Sequence, residues 1–326
     1  METARRRMRA GVIGTGRLGR EHARVYASLD DVASLSLYDR DAARVSAVAS
    51  EHGARTCASV GELLDGCDVV SICTPATHHH ATAIEAFARG VHVLVEKPIA
   101  SDVKSAREMI ATAASRGCIL QVGHIERFNG AFEAVRALVK RPLFIESHRL
   151  ATFSPRGIDV SVVQDLMIHD IDLILTILKG DAVADLKASG AGVLTGAPDI
   201  VNARIEFEGG CVANITASRI SREPLRKIRF FEQHRYVSAD LRQKTVEAFE
   251  KVEDAPGEGS VLDPARLIRR IAVTVDQTEP LRKEIVSFLG AVHGREAPPV
   301  TGAEGLEALK VAERILGSIS NNRRLR

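Results

Sequence analysis

Tryptophan is absent from the 326-residue chain, and aromatic residues together make up 4% of it. That leaves few of the flat rings on which single-stranded nucleic acid stacks. Charge of one sign is missing too: 44 Lys and Arg stand against 42 Asp and Glu, a formal net charge of +2. No long-range field draws such a chain to nucleic acid or anionic lipid, so an anionic ligand has to be met locally. The five cysteines, Cys57, Cys67, Cys73, Cys118 and Cys211, are odd in number and never spaced C-x-x-C. This argues against a disulfide framework and the common zinc sites, and fits a reducing cytosol. No apolar run approaches bilayer length, and Arg5-Arg6-Arg7 leads straight into a strand-like segment without a signal-peptide core. The expectation is a soluble cytoplasmic protein with neither nucleic acid nor membrane as a partner. What remains, 45% hydrophobic and 26% charged, is ordinary globular composition at a length that suits two domains.

From Met8 to about Gly123, short apolar runs at 9–13, 34–38, 68–73, 92–95 and 119–122 alternate with Ala-rich helical patterns at 18–29, 42–52, 79–89 and 103–115. The runs are near-continuously apolar, as in strands buried on both faces, and the alternation predicts a doubly wound parallel sheet with crossover helices. Ser101 is the expected N-cap of the last of these helices. Beyond about Gly130 the period becomes two. Val201, Ala203, Ile205 and Phe207 point one way and Asn202, Arg204 and Glu206 the other, and Gly209-Gly210 reads as a two-residue hairpin turn. A long helix is expected over 160–178, a mobile loop over 252–264, and a final helix from the capping box Thr301-Gly-Ala-Glu304 through Ile315. The fold class is therefore an α/β Rossmann-type domain, residues 1–124, followed by an α+β domain, 125–326, with an open, mostly antiparallel sheet. The last helix, about 302–316, is expected to pack back on the first domain.

Gly14-Thr-Gly16-Arg17-Leu18-Gly19 places G-x-G-x-x-G between a strand and a helix. Gly14 suits the tight turn, Gly16 lets backbone approach a pyrophosphate, and Gly19 lets the helix lie close to the sheet with its N–H groups facing the anion. Asp39 follows Gly19 by 20 residues, where a carboxylate accepts from the ribose hydroxyls of NAD and repels the 2′-phosphate of NADP; Arg40 beside it would tolerate that phosphate. The bland alternative is a glycine-rich turn that binds nothing. Cys73-Thr74-Pro75 closes a strand at the sheet edge where the nicotinamide half of a dinucleotide lies. His78-His79-His80 points in several directions and makes a poor metal site; no metal is expected, and His79 is the one taken to lie near the cofactor.

Glu96-Lys97-Pro98 ends the next strand. An ammonium there could stabilise the oxygen that gains charge as a hydride leaves carbon, although a lone strand-end lysine is usually just solvated. In Asp165-Leu-Met-Ile-His169-Asp-Ile-Asp172, helical spacing would stack Asp165, His169 and Asp172 on one face. Such an imidazole could take a proton from a secondary alcohol with Asp165 orienting it; a plain acid–base surface helix or a metal pair fits the same spacing.

Gly14-x-Gly16-x-x-Gly19, Thr74-Pro75 with His79, Glu96-Lys97-Pro98, and Asp165 four residues before His169 together resemble the Gfo/Idh/MocA family over nearly the whole chain. The resemblance implies a Rossmann domain, an open antiparallel sheet that commonly forms a dimer or tetramer interface, and a nicotinamide held in a cleft between the two domains. It further implies Lys97 in contact with substrate, His169 as acid/base, Asp165 holding substrate or His169, and Glu96 and Thr74 by the nicotinamide ribose. Asp159-Val-Ser-Val-Val-Gln164 and Met167 replace glycines frequent in the family's free-sugar enzymes. Gly123-His-Ile-Glu-Arg127-Phe-Asn129, Ser147-His-Arg149-Leu150 and Ser154-Pro-Arg156-Gly157 look instead like the nucleotide-sugar branch, similar to UDP-N-acetylglucosamine 3-dehydrogenases, whose keto product feeds an aminotransferase in lipid A synthesis. Arg127, Asn129, Arg149 and Arg156 are the expected donors to such a substrate. An inositol or free-sugar dehydrogenase, an NAD-dependent glycosidase and a non-catalytic NAD sensor are the competing readings.

Overall fold

A computed structural model describes residues 6–154, 160–252 and 267–324. It divides into two compact units, one formed by the chain up to Ile125 together with Glu279–Leu309, the other by Glu126–Thr278 with the chain from Lys310 on. The first boundary falls within a residue or two of the expected one. The second differs, because residues 279–309, expected in the second domain, belong to the first unit. The reason lies in the helix Pro280–Val292, where Leu281, Ile285, Phe288 and Leu289 recur at helical spacing and join the core beside Val12, Tyr26, Leu37 and Val69. Each fully buried apolar side chain of this kind contributes roughly 1.5–3 kcal/mol.

The first unit is a six-stranded parallel sheet: β1 (Met8–Ile13), β2 (Val32–Tyr38), β3 (Arg55–Thr56), β4 (Val69–Ile72), β5 (His92–Glu96) and β6 (Leu120–Gly123), in the order β3-β2-β1-β4-β5-β6. The order reverses direction between β1 and β4, the switch point at which open α/β sheets bind ligands. The crossover helices are α1 (Arg17–Ala27), α2 (Ala42–His52), α3 (Val60–Asp65), α4 (His79–Ala88) and α5 (Val103–Ser115). α5 is capped by Asp102, which accepts from the Ser105 N–H at 2.8 Å, and not by Ser101, whose hydroxyl donates to that carboxylate at 3.1 Å. The C-terminal helix, Gly302–Arg324, opens on the expected capping box: the Glu304 N–H donates to Thr301 Oγ1 at 3.2 Å, and the Thr301 N–H to Glu304 Oε2 at 2.9 Å. It runs past the expected end at Ile315, and only its part up to Leu309 belongs to the first unit.

The second unit is an eight-stranded open sheet in the order β14-β13-β12-β11-β7-β10-β9-β8. Its strands are β7 (Phe144–Leu150), β8 (Val183–Ala191), β9 (Ile200–Phe207), β10 (Val212–Ser218), β11 (Leu225–Phe231), β12 (Arg235–Asp240), β13 (Thr245–Lys251) and β14 (Ile268–Ile271). All neighbours are antiparallel except β7 and β10. The period-two pattern of β9 holds, with Val201, Ala203, Ile205 and Phe207 buried. The turn after it is a three-residue loop rather than the expected two-residue one. The Phe207 N–H donates to Cys211 O, and only Gly210 takes a positive φ, +88°. Helices α6 (Gly130–Leu138) and α7 (Ile168–Ile177) pack on the sheet. The expected loop at 252–264 lies outside the described residues apart from Val252. Among the described residues no helix is long and apolar enough to cross a membrane.

Asp199 organises the β8–β9 connection. Its Oδ2 accepts the N–H groups of Val193, Leu194 and Thr195 at 2.8, 2.7 and 2.9 Å, and Oδ1 accepts the Thr195 hydroxyl at 2.8 Å. Burial opposes its charge, but these donors outweigh it and hold the carboxyl far below the usual range. Asp199→Ala leaves the donors unmatched and is expected to lower unfolding stability by on the order of 3 kcal/mol at pH 7, measured by urea titration. A carboxyl depressed on folding stabilises above its unfolded pKa of about 4 and loses that contribution as pH falls toward its folded value. The gap between parent and variant should therefore shrink below pH 4; a gap constant down to pH 3 contradicts the assignment.

Candidate functional site

In the first unit, the loop after β1 packs against the end of β4. Gly14 has φ +90°, and a Cβ there would lie 2.9 Å from the backbone of Cys73. At Gly19 a Cβ would sit 1.7 Å from Gly14 O, so α1 can leave the loop this steeply only with glycine. Gly16 is different in kind, because a Cβ there meets nothing within 4 Å. It also stands as N-cap of α1 without a side-chain hydrogen bond, so the first N–H groups of the helix face that open space with no capping oxygen. Arg17 and Leu18 flank it, exposed. Open space, uncapped helix N–H groups and a strand-switch position together fit a bound pyrophosphate.

Asp39 directly follows β2, beside this loop. Its Oδ2 accepts the Thr15 N–H at 2.7 Å and hydroxyl at 3.1 Å, and its Oδ1 accepts the Asp41 N–H at 3.0 Å. Burial works against the charge, yet these donors and Arg44, 3.6 Å away, hold the carboxyl below the usual aspartate range. Arg40 is exposed. Arg44, on the first turn of α2, is a second cation here that the sequence reading passed over.

The ends of β4 and β5 carry the next group. Thr74 and Pro75 follow β4, and Thr74 Oγ1 is buried with no hydrogen-bond partner among the described residues, as suits a hydroxyl that meets a ligand. His79 does not face open space. Buried, it sets Nδ1 2.9 Å from Pro98 O and Nε2 2.8 Å from Thr74 O, and so braces the two turns against each other. Burial pushes its pKa down against the pull of the carbonyls. His80 pairs with Glu108 at 3.1 Å. Glu96 is buried, with Oε1 3.1 Å from His22 Nε2 and Oε2 accepting the Lys97 N–H at 3.2 Å. Burial raises this carboxyl, but the hydrogen bond and charge of His22, with Lys97 and His79, outweigh it and leave the group below the usual glutamate range. His22 Nδ1 and Tyr26 OH each lie 3.0 Å from Ser71 Oγ, so a buried polar chain runs beneath Lys97. Sequence reasoning missed His22, whose only signal was a polar residue on the inward face of α1. The Lys97–Pro98 peptide is cis.

In the second unit, the expected single helix over 160–178 is a π-helical turn, Val163–Met167, running into α7. The wider π turn undoes the spacing that would stack Asp165, His169 and Asp172 on one face. Asp165 and His169 are half-buried, whereas Asp172 is buried against Arg127. The substrate donors expected from the sequence are placed differently. Arg127 donates from Nε and Nη2 to Asp172 at 2.8 and 2.5 Å, and Arg149 from Nε and Nη2 to Asp170 at 2.8 and 3.1 Å and from Nη1 to Glu126 at 2.9 Å. Asn129 caps α6 and donates to Glu126 and Leu241 O. All three are buried in the framework with these donors on protein oxygens, a fate that a sequence cannot show because the acceptors lie up to 112 residues away. Arg156 lies outside the described residues.

The model described as "Oxidoreductase family, NAD-binding Rossmann fold" matches residues 8–124, and the "GFO/IDH/MocA C-terminal domain" matches residues 123–236. The chain is 38% identical over 307 residues, 94% of its length and 95% of the other's, to UDP-N-acetylglucosamine 3-dehydrogenase of Acidithiobacillus ferrooxidans. The chain belongs to the Gfo/Idh/MocA oxidoreductase family. A crystal structure of that Acidithiobacillus enzyme, GnnA, superposes with a TM-score of 0.87 at 36% identity, covering 96% of this chain and 97% of that one. Inositol 2-dehydrogenase of Rhizobium meliloti is 29% identical over 98% of both chains. As a Gfo/Idh/MocA member the protein is an oxidoreductase with a nicotinamide-binding Rossmann unit, and the phosphate loop, Asp39 and the Thr74 hydroxyl are the residues of that unit whose geometry suits the cofactor.

Proposed function

We propose that the protein oxidises the 3-hydroxyl of a UDP-hexosamine, UDP-N-acetylglucosamine foremost, to the 3-keto sugar with NAD. The observation that carries this reading is the similarity to the Acidithiobacillus 3-dehydrogenase over almost all of both chains. Gly14, Gly16 and Gly19 with the start of α1 hold the pyrophosphate, and Asp39 holds the adenosine ribose. When bound, the nicotinamide accepts the hydride from the sugar carbon. His169 takes the hydroxyl proton, Asp165 four residues before it holds the substrate or His169, and the Lys97 ammonium hydrogen-bonds the oxygen and stabilises its growing negative charge. The same reading puts the product before an aminotransferase that installs nitrogen on the way to lipid A or another surface sugar. It sets the enzyme in the cytoplasm, where its five free thiols stay reduced, as a dimer or tetramer associating through the open sheet.

The test is to incubate pure protein and NAD with UDP-sugars and free polyols, following NADH absorbance and the mass of the keto product. A coupled aminotransferase draws off the product against an unfavourable equilibrium. A 3-keto product from UDP-N-acetylglucosamine is the expected result. Silence with every nucleotide sugar and a response to inositol would overturn the reading in favour of a polyol dehydrogenase. The cofactor preference rests on Asp39. Asp39→Asn is expected to raise KM for NAD about tenfold, a loss of about 1.4 kcal/mol, and to let NADP work, since Arg40 and Arg44 are then no longer balanced. Unchanged kinetics with both cofactors would move the discrimination elsewhere.

A further inference from the structure

His169 is the second residue of α7, directly after the π turn, and the start of α7 has no side-chain cap. The helix buries Ile168, Ile171 and Ile174. The two carboxylates that follow are held. Asp170 receives the Nε and Nη2 of Arg149, and Asp172 the Nε and Nη2 of Arg127, so both pairs are two-pronged. At about 100° per residue, Asp170 lies about 100° to one side of His169 on the helical wheel and Asp172 about 60° to the other. The guanidinium groups come from different elements, Arg149 from β7 and Arg127 from the short 3₁₀ turn Ile125–Phe128. Glu126, from the same turn, takes the remaining edge of Arg149 at 2.9 Å and is itself met by Asn129 at 3.0 Å and Arg226 at 3.4 Å.

All five charged groups of the two pairs and Glu126 are buried. Ions so placed bear a desolvation penalty that their attraction often no more than offsets, so stability alone does not account for them. A single pair would fix one point; two pairs on opposite flanks of one residue, added to the buried face of Ile168, Ile171 and Ile174, fix the direction of the residue between them. We propose that Arg149 and Arg127, gripping Asp170 and Asp172, are positioning residues for His169, fixing the direction in which α7 presents its imidazole. This rests on the role given to His169 above. It also explains why these arginines, which a sequence reading assigns to a ligand, are turned inward.

The test uses the full chain in two variants. Arg149→Lys keeps the charge and loses the two-pronged geometry. Arg127→Met/Asp172→Leu removes one whole pair in a volume-conserving way, a change that often leaves stability intact. The readouts are kcat and KM for UDP-N-acetylglucosamine and NAD, the pH profile of kcat, melting temperature, and the side-chain nitrogen resonances of His169, assigned with His169→Asn. Expected in both variants are a kcat lower by about 10- to 100-fold, in the range that an ångström of misplacement produces, an altered pH profile, an unchanged KM for NAD, and shifted His169 resonances. Parent-like kcat, pH profile and His169 resonances, with only a lower melting temperature, would reduce the clamp to a structural role and overturn the proposal. The two readings fail separately. If the parent turns over no UDP-hexosamine but the His169 resonances shift, the clamp stands and the proposed substrate falls.

Discussion

Lys97→Met is expected to lower turnover of UDP-N-acetylglucosamine by about 10²- to 10³-fold, as loss of a donor to a developing oxyanion does, while cofactor binding stays near that of the parent. Lys97 follows β5 on a rigid edge. Its N–H is fixed on Glu96, Glu96 on His22, and the following Pro98 carbonyl on His79. Methionine fills the same volume without the charge, so a loss in kcat reports the ammonium and not the packing. His169→Asn removes the proton acceptor and should cost about 10²- to 10⁴-fold. If the two groups serve one hydroxyl, the double variant falls little further than the worse single one, since residues acting as a unit are far from additive. Stopped-flow measurement of NADH formation under single-turnover conditions separates this step from product release. Full activity in either single variant would remove that residue from the chemistry.

The second large effect concerns the glycines of the phosphate loop, which the structure predicts to fail in different ways. Gly19→Ala drives a Cβ to 1.7 Å from Gly14 O, a backbone atom that cannot swing aside. The loop must open, at a cost of about 3 kcal/mol or more in stability and with loss of NAD binding. Gly16→Ala meets no atom within 4 Å, so its melting temperature should match the parent's. Its methyl nevertheless enters the space assigned to the pyrophosphate, and NAD affinity should fall by about 100-fold, or about 2.7 kcal/mol. Calorimetric melting and NAD titration of both variants resolve the cases. A Gly16→Ala protein that binds NAD as the parent does would place the pyrophosphate elsewhere.

The parts of this molecule that sequence made legible are those whose cause is local. The parallel strands show as apolar runs, the Thr301–Glu304 box as a four-residue pattern, and the phosphate loop as three glycines with distinct steric duties. The misread parts depend on partners far along the chain. Arg127, Asn129 and Arg149 look like ligand donors until Asp172, Leu241 and Asp170 are brought to them. The π turn at Val163–Met167 has no composition of its own and is visible only in the backbone bonding. His22, on α1, passed unnoticed because its value lies in Glu96 and Ser71, on two strands far along the chain. Ser101 and Asp102 both suit a helix cap, and the choice between them shows only in the Ser105 N–H, which donates to Asp102.

The discontinuous make-up of the first unit bears on the order in which the polypeptide can mature. Leu281, Ile285, Phe288 and Leu289 complete a core whose other buried members lie before residue 95, so a chain still being synthesised holds an unfinished apolar face until nearly 200 further residues have emerged. The second sheet, continuous from Glu126 to Thr278, is free to consolidate earlier, and the N-terminal half waits exposed to chaperones in the meantime.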